Sequence, residues 1–235
     1  MSKGLYIVFE GMSGCGKTTQ AHLLQEALTK EYSEEQIIYT YEPGGSEIAN
    51  AIRVLVQGTE FQEKMDPLCE AYLYSSSRAQ TLSIIVKPHL ENNGVVISDR
   101  SFVTSLAFQG YSRGLGFFKI LEINKSALEI AFPNLVIYLD IDPSIGLNRM
   151  FDHKGDKFEN EAIEFYQKVR EGYYQISELE IFKDRWLTIN VNDQTIENIH
   201  KIIMDNILPL THEISLSKTS NLETNPQLHF PSIEI

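Results

Sequence analysis

Residues 11–18 read Gly-Met-Ser-Gly-Cys-Gly-Lys-Thr and match the pattern G-x-x-x-x-G-K-[ST]. Each fixed position answers a physical need. Glycines let the backbone wrap an oxyanion, so that successive N–H groups and the N-terminus of the following helix point at it. Lys17 adds positive charge at the β- and γ-phosphates, and Thr18 offers a hydroxyl to Mg²⁺. The residues expected around a nucleotide's phosphates are Gly11, Met12, Ser13, Gly14, Cys15, Gly16, Lys17, Thr18 and Thr19. A loop of this kind serves GTPases, motor ATPases and small-molecule kinases alike, so other residues must choose among them.

Four further segments carry groups suited to a phosphorylated ligand. Glu42-Pro43-Gly44-Gly45 precedes Arg53, and Tyr74 precedes Ser77-Arg78-Ala79-Gln80. Asp99-Arg100-Ser101 closes an apolar run and leads to Ser105-Leu106-Ala107-Phe108-Gln109-Gly110. Tyr138-Leu139-Asp140-Ile141-Asp142-Pro143 leads to Gly146 and Arg149. Asp99 and Arg100 end a predicted parallel strand, the edge at which open α/β sheets bind ligands, and there Asp99 can hold a Mg²⁺-bound water. Tyr74 lies one helical turn before Arg78, so a ring and a guanidinium share a face and can enclose a flat base.

Over residues 4 to about 205, in order and spacing, these segments resemble the thymidylate kinases, a family of P-loop nucleoside monophosphate kinases. The resemblance implies transfer of the γ-phosphoryl group of MgATP to dTMP, giving dTDP and ADP. It implies that Arg100 and Arg53 grip the acceptor monophosphate, a task that suits a planar guanidinium fork. Glu42, Pro43, Tyr74, Arg78, Ser105, Phe108 and Gln109 would complete the acceptor site. Within it Arg78 would donate to a ring carbonyl, and Gln109 would finish the polar edge. Thr18 and Asp99 would hold the Mg²⁺, Asp99 through a metal-bound water. Lys17, Asp99, Arg100, Arg149, Lys154 and Lys157 would position the reactants and neutralise charge spreading over the transferred oxygens.

Gly14 matches the lid-dependent bacterial type, in which a small lid, here about residues 149–159, supplies that charge. Several residues depart from the family pattern. Ser13 replaces an acidic residue of many members, Ser101 an aromatic, Phe108 a tyrosine and Lys157 the lid arginine. Asp99-Arg100-Ser101 also echoes the Glu-Arg-Ser of deoxynucleoside kinases. A deoxynucleoside kinase or another pyrimidine monophosphate kinase is therefore the alternative enzyme. A nucleotide-binding regulatory protein without turnover is the alternative of another class. The resemblance also implies a homodimer.

The elements that must position these residues are legible in the apolar pattern. Runs rich in β-branched and aromatic residues recur at 5–10, 37–42, 95–99, 135–141 and 186–191, separated by helix-length stretches. Strands that are apolar almost throughout belong to a parallel sheet covered on both faces. The fold class is α/β, a doubly wound parallel five-stranded sheet with helices on both faces and a small lid. Leu24, Ala27 and Leu28 form a helical stripe, as do Ile163, Tyr166, Val169 and Tyr173 within 160–181. One kinase domain is expected over residues 1–210, followed by a polar, Ser/Thr/Asn-rich tail over 211–235.

Composition excludes several classes. With 20 basic and 32 acidic residues the formal charge is −12, which opposes broad binding to nucleic acid or to an anionic membrane. Polyanions must be met by local charge, and Lys17, Arg53, Arg78, Arg100, Arg149, Lys154 and Lys157 are the cations expected at one cleft. No window approaches a membrane span, and the N-terminus lacks a long apolar signal core, so a cytoplasmic protein is expected. Two cysteines, Cys15 and Cys69, are too few for a disulfide framework, and the six histidines show no metal-ligand spacing. Cys15, at a helix N-terminus beside Lys17, is expected to react with alkylating agents, with loss of activity and protection by ATP.

Overall fold

The computed structural model describes residues 4–150 and 163–216. Five strands form one all-parallel sheet in the order β2-β3-β1-β4-β5. They are β1 (Leu5–Glu10), β2 (Ile37–Tyr41), β3 (Val95–Asp99), β4 (Leu135–Asp140) and β5 (Trp186–Asn190). Each ends within one residue of its expected limit. All side chains of β1, β3 and β4 are buried, as the unbroken apolar runs require, whereas the edge strands β2 and β5 are partly exposed.

The helices are α1 (Lys17–Thr29), α2 (Glu47–Gln57), α3 (Pro67–Thr81), α4 (Lys87–Glu91), α5 (Phe102–Ser105), α6 (Phe117–Leu128), α7 (Pro143–Met150), α8 (Ile163–Ser177) and α9 (Ile196–Leu216). The stripe on α1 is real: Leu24 and Leu28 are fully buried where this helix packs on β1, β2 and β3. On α8, Tyr166, Val169 and Tyr173 are likewise fully buried, and Tyr173 stacks on Tyr138 of β4 at 4.6 Å. Ile163, at the start of that stripe, is exposed. Local chemistry sets the helix starts. Asp66 accepts from the Leu68 and Cys69 N–H groups with Pro67 in the first turn, and Ser46 accepts from Ala49 N. The last helix runs to Leu216, past the change of composition at 211.

Two wide, π-type turns interrupt the helices, and neither is predicted from periodicity. The first, Leu82–Val86, joins α3 to α4. Pro88 lies in the first turn of α4, and its ring has no N–H to offer residue 84. Widening the turn, with Lys87 N bonded to the Leu82 carbonyl, accommodates it. The second, Leu106–Ser112, follows α5 and carries Phe108 and Gln109. Turns of this kind cluster at functional sites because the extra residue re-aims the side chains around it.

Candidate active site

The site begins at the centre of the sheet, where β1 runs into the phosphate-binding loop beside the end of β3. Phe9 is registered against Asp99, and Arg100 N donates to the Phe9 carbonyl at 2.9 Å. The loop's shape depends on its glycines. Gly14 has φ +79°, and a Cβ there would stand 2.4 Å from the Gly146 carbonyl at the start of α7. Gly146 in turn lies close to Met12 and Ser13, which explains a small residue at that position. Lys17 is buried, and its ammonium donates to the Met12 carbonyl at 2.9 Å and lies 3.6 Å from Cys15 Sγ.

Thr18 Oγ1 donates to Asp99 Oδ2 at 2.5 Å, so the two expected magnesium ligands meet across the loop. Among the described residues no group of three His, Cys, Asp or Glu could form a protein-only metal cage. A single hydroxyl and a single carboxylate, both hard oxygen donors, fit an ion that keeps its waters and binds chiefly to substrate phosphates.

Arg100 is held in a left-handed conformation, φ +75°, which costs a non-glycine residue about 1–3 kcal/mol and is sustained only where surroundings over-determine it. Its guanidinium donates to the Gly11 carbonyl at 3.1 Å and to Thr104 Oγ1 at 3.2 Å, and its Cζ lies 5.7 Å from the Phe108 ring centre. Beneath it the fully buried Glu10 accepts from Ser101 Oγ (2.7 Å), Thr104 Oγ1 (2.6 Å) and the Tyr173 hydroxyl (3.0 Å). Burial pushes the Glu10 carboxyl above its ordinary value, against the pull of those donors and of Arg100. Ser101 also caps α5 through Val103 N. The departure from an aromatic at this position is therefore accounted for, since its hydroxyl is engaged on both sides.

A cleft of about 380 Å³ opens from the loop toward α2 and α3. On the loop side it is lined by Ser13, Gly14, Lys17, Thr18, Asp99 and Arg100. On the far side stand Glu42, Arg53, Tyr74, Phe108 and Gln109, so residues separated by up to 96 positions in the chain share one space. Tyr39, Tyr41, Gln57 and Thr104 also line it and were not singled out from sequence. A signal for two of them existed: Tyr39 and Tyr41 alternate along β2 and so fall on one face. Burial, with Asp99 nearby, pushes the Tyr39 hydroxyl up to about 12. Arg53 donates to the Pro43 carbonyl at 2.8 Å and lies over the Tyr41 ring at 5.5 Å, which orients it into the cleft from α2.

Arg78 is placed differently from expectation. It is 2 % exposed and does not line the cleft. Its Nε donates to Glu42 Oε2 at 2.6 Å, Nη1 to Asn124 Oδ1 at 2.5 Å, and Nη2 to the Ser101 carbonyl and Ser105 Oγ, each at 3.2 Å. The guanidinium thus stands behind the wall and ties α3 to the turn after β2, to α5 and to α6. Ser105, also buried, belongs to this network rather than to the cleft surface. Asn124 gave no signal in sequence, because only the packing of α6 on α3 brings it near.

Arg149, at the exposed end of α7, donates to the Gly14 carbonyl at 3.3 Å, which puts a cation beside the loop. Lys154 and Lys157 lie outside the described residues. Cys15 is 2 % exposed, so the expected ready alkylation does not fit this arrangement; Cys69 is the exposed thiol. At the end of β4 the buried Asp140 takes a bidentate contact from Arg170 of α8, at 2.7 and 2.8 Å, and a hydrogen bond from the Tyr174 hydroxyl at 2.8 Å. Burial alone would raise its carboxyl, but Arg170 and Tyr174 outweigh that and hold it below the ordinary carboxylate value.

A central parallel strand feeding a glycine-rich loop, a hydroxyl–carboxylate pair at the phosphates and an arginine-bearing cleft opposite define the class: a P-loop phosphotransferase with a separate acceptor pocket. Comparison with known proteins narrows it. The sequence model described as thymidylate kinase matches residues 9–203. The thymidylate kinases of Bacillus thuringiensis (strain Al Hakam) and Bacillus mycoides (strain KBAB4) are each 40 % identical over 213 residues, covering 88 % of this chain and all of theirs. The crystal structure of thymidylate kinase from Ehrlichia chaffeensis superposes with a TM-score of 0.70 at 28 % identity, over 88 % of this chain and 98 % of that one. The chain belongs to the thymidylate kinase family, and it is an ATP-dependent nucleoside monophosphate kinase.

Proposed function

We propose that the protein transfers the γ-phosphoryl group of MgATP to dTMP, forming dTDP and ADP. The observation that carries this reading is the joint presence, around one cleft, of the phosphate-binding loop with Thr18 and Asp99 and of Arg53, Arg100, Tyr74, Phe108 and Gln109. The first set meets a donor triphosphate, and the second meets a phosphate and a flat polar ring. Phosphoryl transfer asks for in-line positioning and charge neutralisation rather than a protein nucleophile, and a cleft that joins these cations to the phosphate-binding loop supports that reading.

Lys17 and the loop amides bind the donor phosphates. Arg100, held by Gly11 and by Thr104, which Glu10 anchors, and Arg53, oriented by Pro43 and Tyr41, fix the acceptor phosphate. Thr18 and Asp99 would hold magnesium, which would supply positive charge at the donor's phosphates. Arg149, with Lys154 and Lys157 of a lid over about residues 149–159, adds charge at the transferred group. The kinase domain is read as residues 1–210 with 211–235 as a tail, α9 crossing that boundary to Leu216. A cytoplasmic location is part of the proposal, in keeping with membership of the thymidylate kinase family.

A homodimer is part of the proposal. Ile48, Val54 and Leu55 of α2 and Leu68 and Tyr72 of α3 are exposed apolar side chains on two helices packed together, and apolar surface left in water on neighbouring helices supports an interaction surface here. Light scattering after size exclusion checks it, with Val54→Asp expected to give a monomer.

Activity is tested by ADP release from MgATP with dTMP, dUMP, UMP, CMP, AMP and thymidine. Turnover with dTMP that is lost in Lys17→Ala is expected. Turnover with thymidine alone would keep the fold and overturn the substrate.

A further inference from the structure

Among the described residues four buried side-chain atoms lack a hydrogen-bond partner: Gln20 Oε1, Thr40 Oγ1, Gln109 Oε1 and His200 Nδ1. Of these residues only Gln109 lines the cleft. A buried polar atom left unpaired calls for an explanation, and for a side chain in the wall of a ligand pocket a ligand group supplies one. The other end of the same amide is already committed. Gln109 Nε2 donates to Glu70 Oε1 at 2.8 Å, and both residues are at most 2 % exposed. An ionised carboxylate only accepts hydrogen bonds, so the amide nitrogen must face Glu70 and the amide oxygen must face away from it.

We propose that Glu70 is a positioning residue that sets the polarity of the base pocket, by locking the Gln109 amide with Oε1 presented as an acceptor. The partner it fits is a pyrimidine whose N3 carries hydrogen, the 4-oxo type found in thymine and uracil. A 4-amino pyrimidine has a lone pair at N3 and would set acceptor against acceptor, leaving both unpaired in a buried site. Glu70 sits on α3, and Gln109 on the wide turn after α5, so the pair couples two walls of the cleft. This rests on the reading of the cleft as a pyrimidine monophosphate site.

The test compares kcat/KM for dTMP and dCMP in wild type, Glu70→Gln, Glu70→Asp and the double exchange Glu70→Gln with Gln109→Glu, alongside melting temperatures. In Glu70→Gln an amide faces an amide, and Gln109 can turn its NH₂ toward the base. The preference for dTMP over dCMP is expected to fall at least about tenfold, mainly through KM for the pyrimidine, with KM for ATP unchanged. Glu70→Asp keeps an acceptor and retains more of the preference. The double exchange again points an acceptor at the base and is expected to recover preference, and it decides the matter if Glu70→Gln does not fold. A folded Glu70→Gln with unaltered preference, or a folded double exchange without recovery, overturns the role of Glu70 while dTMP turnover stands. Wild-type protein without turnover of any pyrimidine monophosphate overturns the substrate reading and this proposal with it.

Discussion

Replacing Arg78 by alanine removes a buried cation from a carboxylate that is itself almost wholly buried in the cleft wall. The side chains of Arg78 and Glu42 are each 3 % exposed, and Nε lies 2.6 Å from Oε2. Breaking such a pair by deleting one partner costs about 3–5 kcal/mol, because the remaining charge stays buried and uncompensated. Three further acceptors, Asn124 Oδ1, the Ser101 carbonyl and Ser105 Oγ, also lose a donor, which places the cost toward the upper end. For a chain of this size each kcal/mol lowers the melting temperature by about 2–4 °C, so a fall of about 10 °C or more is expected. The sign of a second change is sharper than the size of the first. Glu42→Gln should destabilise wild type, where it strands the guanidinium, and should stabilise Arg78→Ala, where it removes the stranded charge. Thermal unfolding of wild type, both single variants and the double variant, followed by circular dichroism, gives the coupling, expected at about 2–3 kcal/mol. A fall of less than about 3 °C for Arg78→Ala, or an effect of Glu42→Gln that is the same in both backgrounds, would refute the reasoning.

Asp140→Asn should cost about 2–3 kcal/mol at neutral pH through the bidentate contact with Arg170. Because the folded carboxyl lies below its ordinary value of 3.8, that difference is complete above this value and disappears as pH falls below it, in melts from pH 7 to pH 2. Glu10 behaves oppositely: its folded value is raised above 4.5, so its contribution is complete below that pH and lost as pH rises, and Glu10→Gln should gain on wild type from pH 4.5 toward neutrality. Gly14→Ala, with its Cβ driven against the Gly146 carbonyl at φ +79°, should raise KM for ATP at least about tenfold and cost about 1–3 kcal/mol by calorimetry. In thiol titration Cys69 should react at the rate of a free thiol without loss of activity, and Cys15 should react only on unfolding; fast labelling of Cys15 would contradict its burial.

The five strands, the loop between β1 and α1 and most of the cleft were legible in the chain because each is written in a local code. Continuous apolar runs mean strands buried on both faces, and a glycine-rich turn between strand and helix has one stable use. Side-chain destination was not legible in the same way. Helical spacing alone pairs Tyr74 and Arg78 around a base, yet the tyrosine lines the cleft and the arginine turns behind it to Glu42. Both choices satisfy helical spacing; the buried carboxylate of Glu42 just after β2 and the amide of Asn124 on α6 decide between them, and neither neighbour is local in sequence. The wide turns escaped for a related reason, since an inserted residue shifts the helical period without changing residue types. Types and spacing of residues thus determined the fold, the donor-phosphate loop and the family's chemistry. Only the packing of distant elements decided which charged groups face the ligand and which are spent holding the wall in place, because a buried charge goes where its counter-charge is.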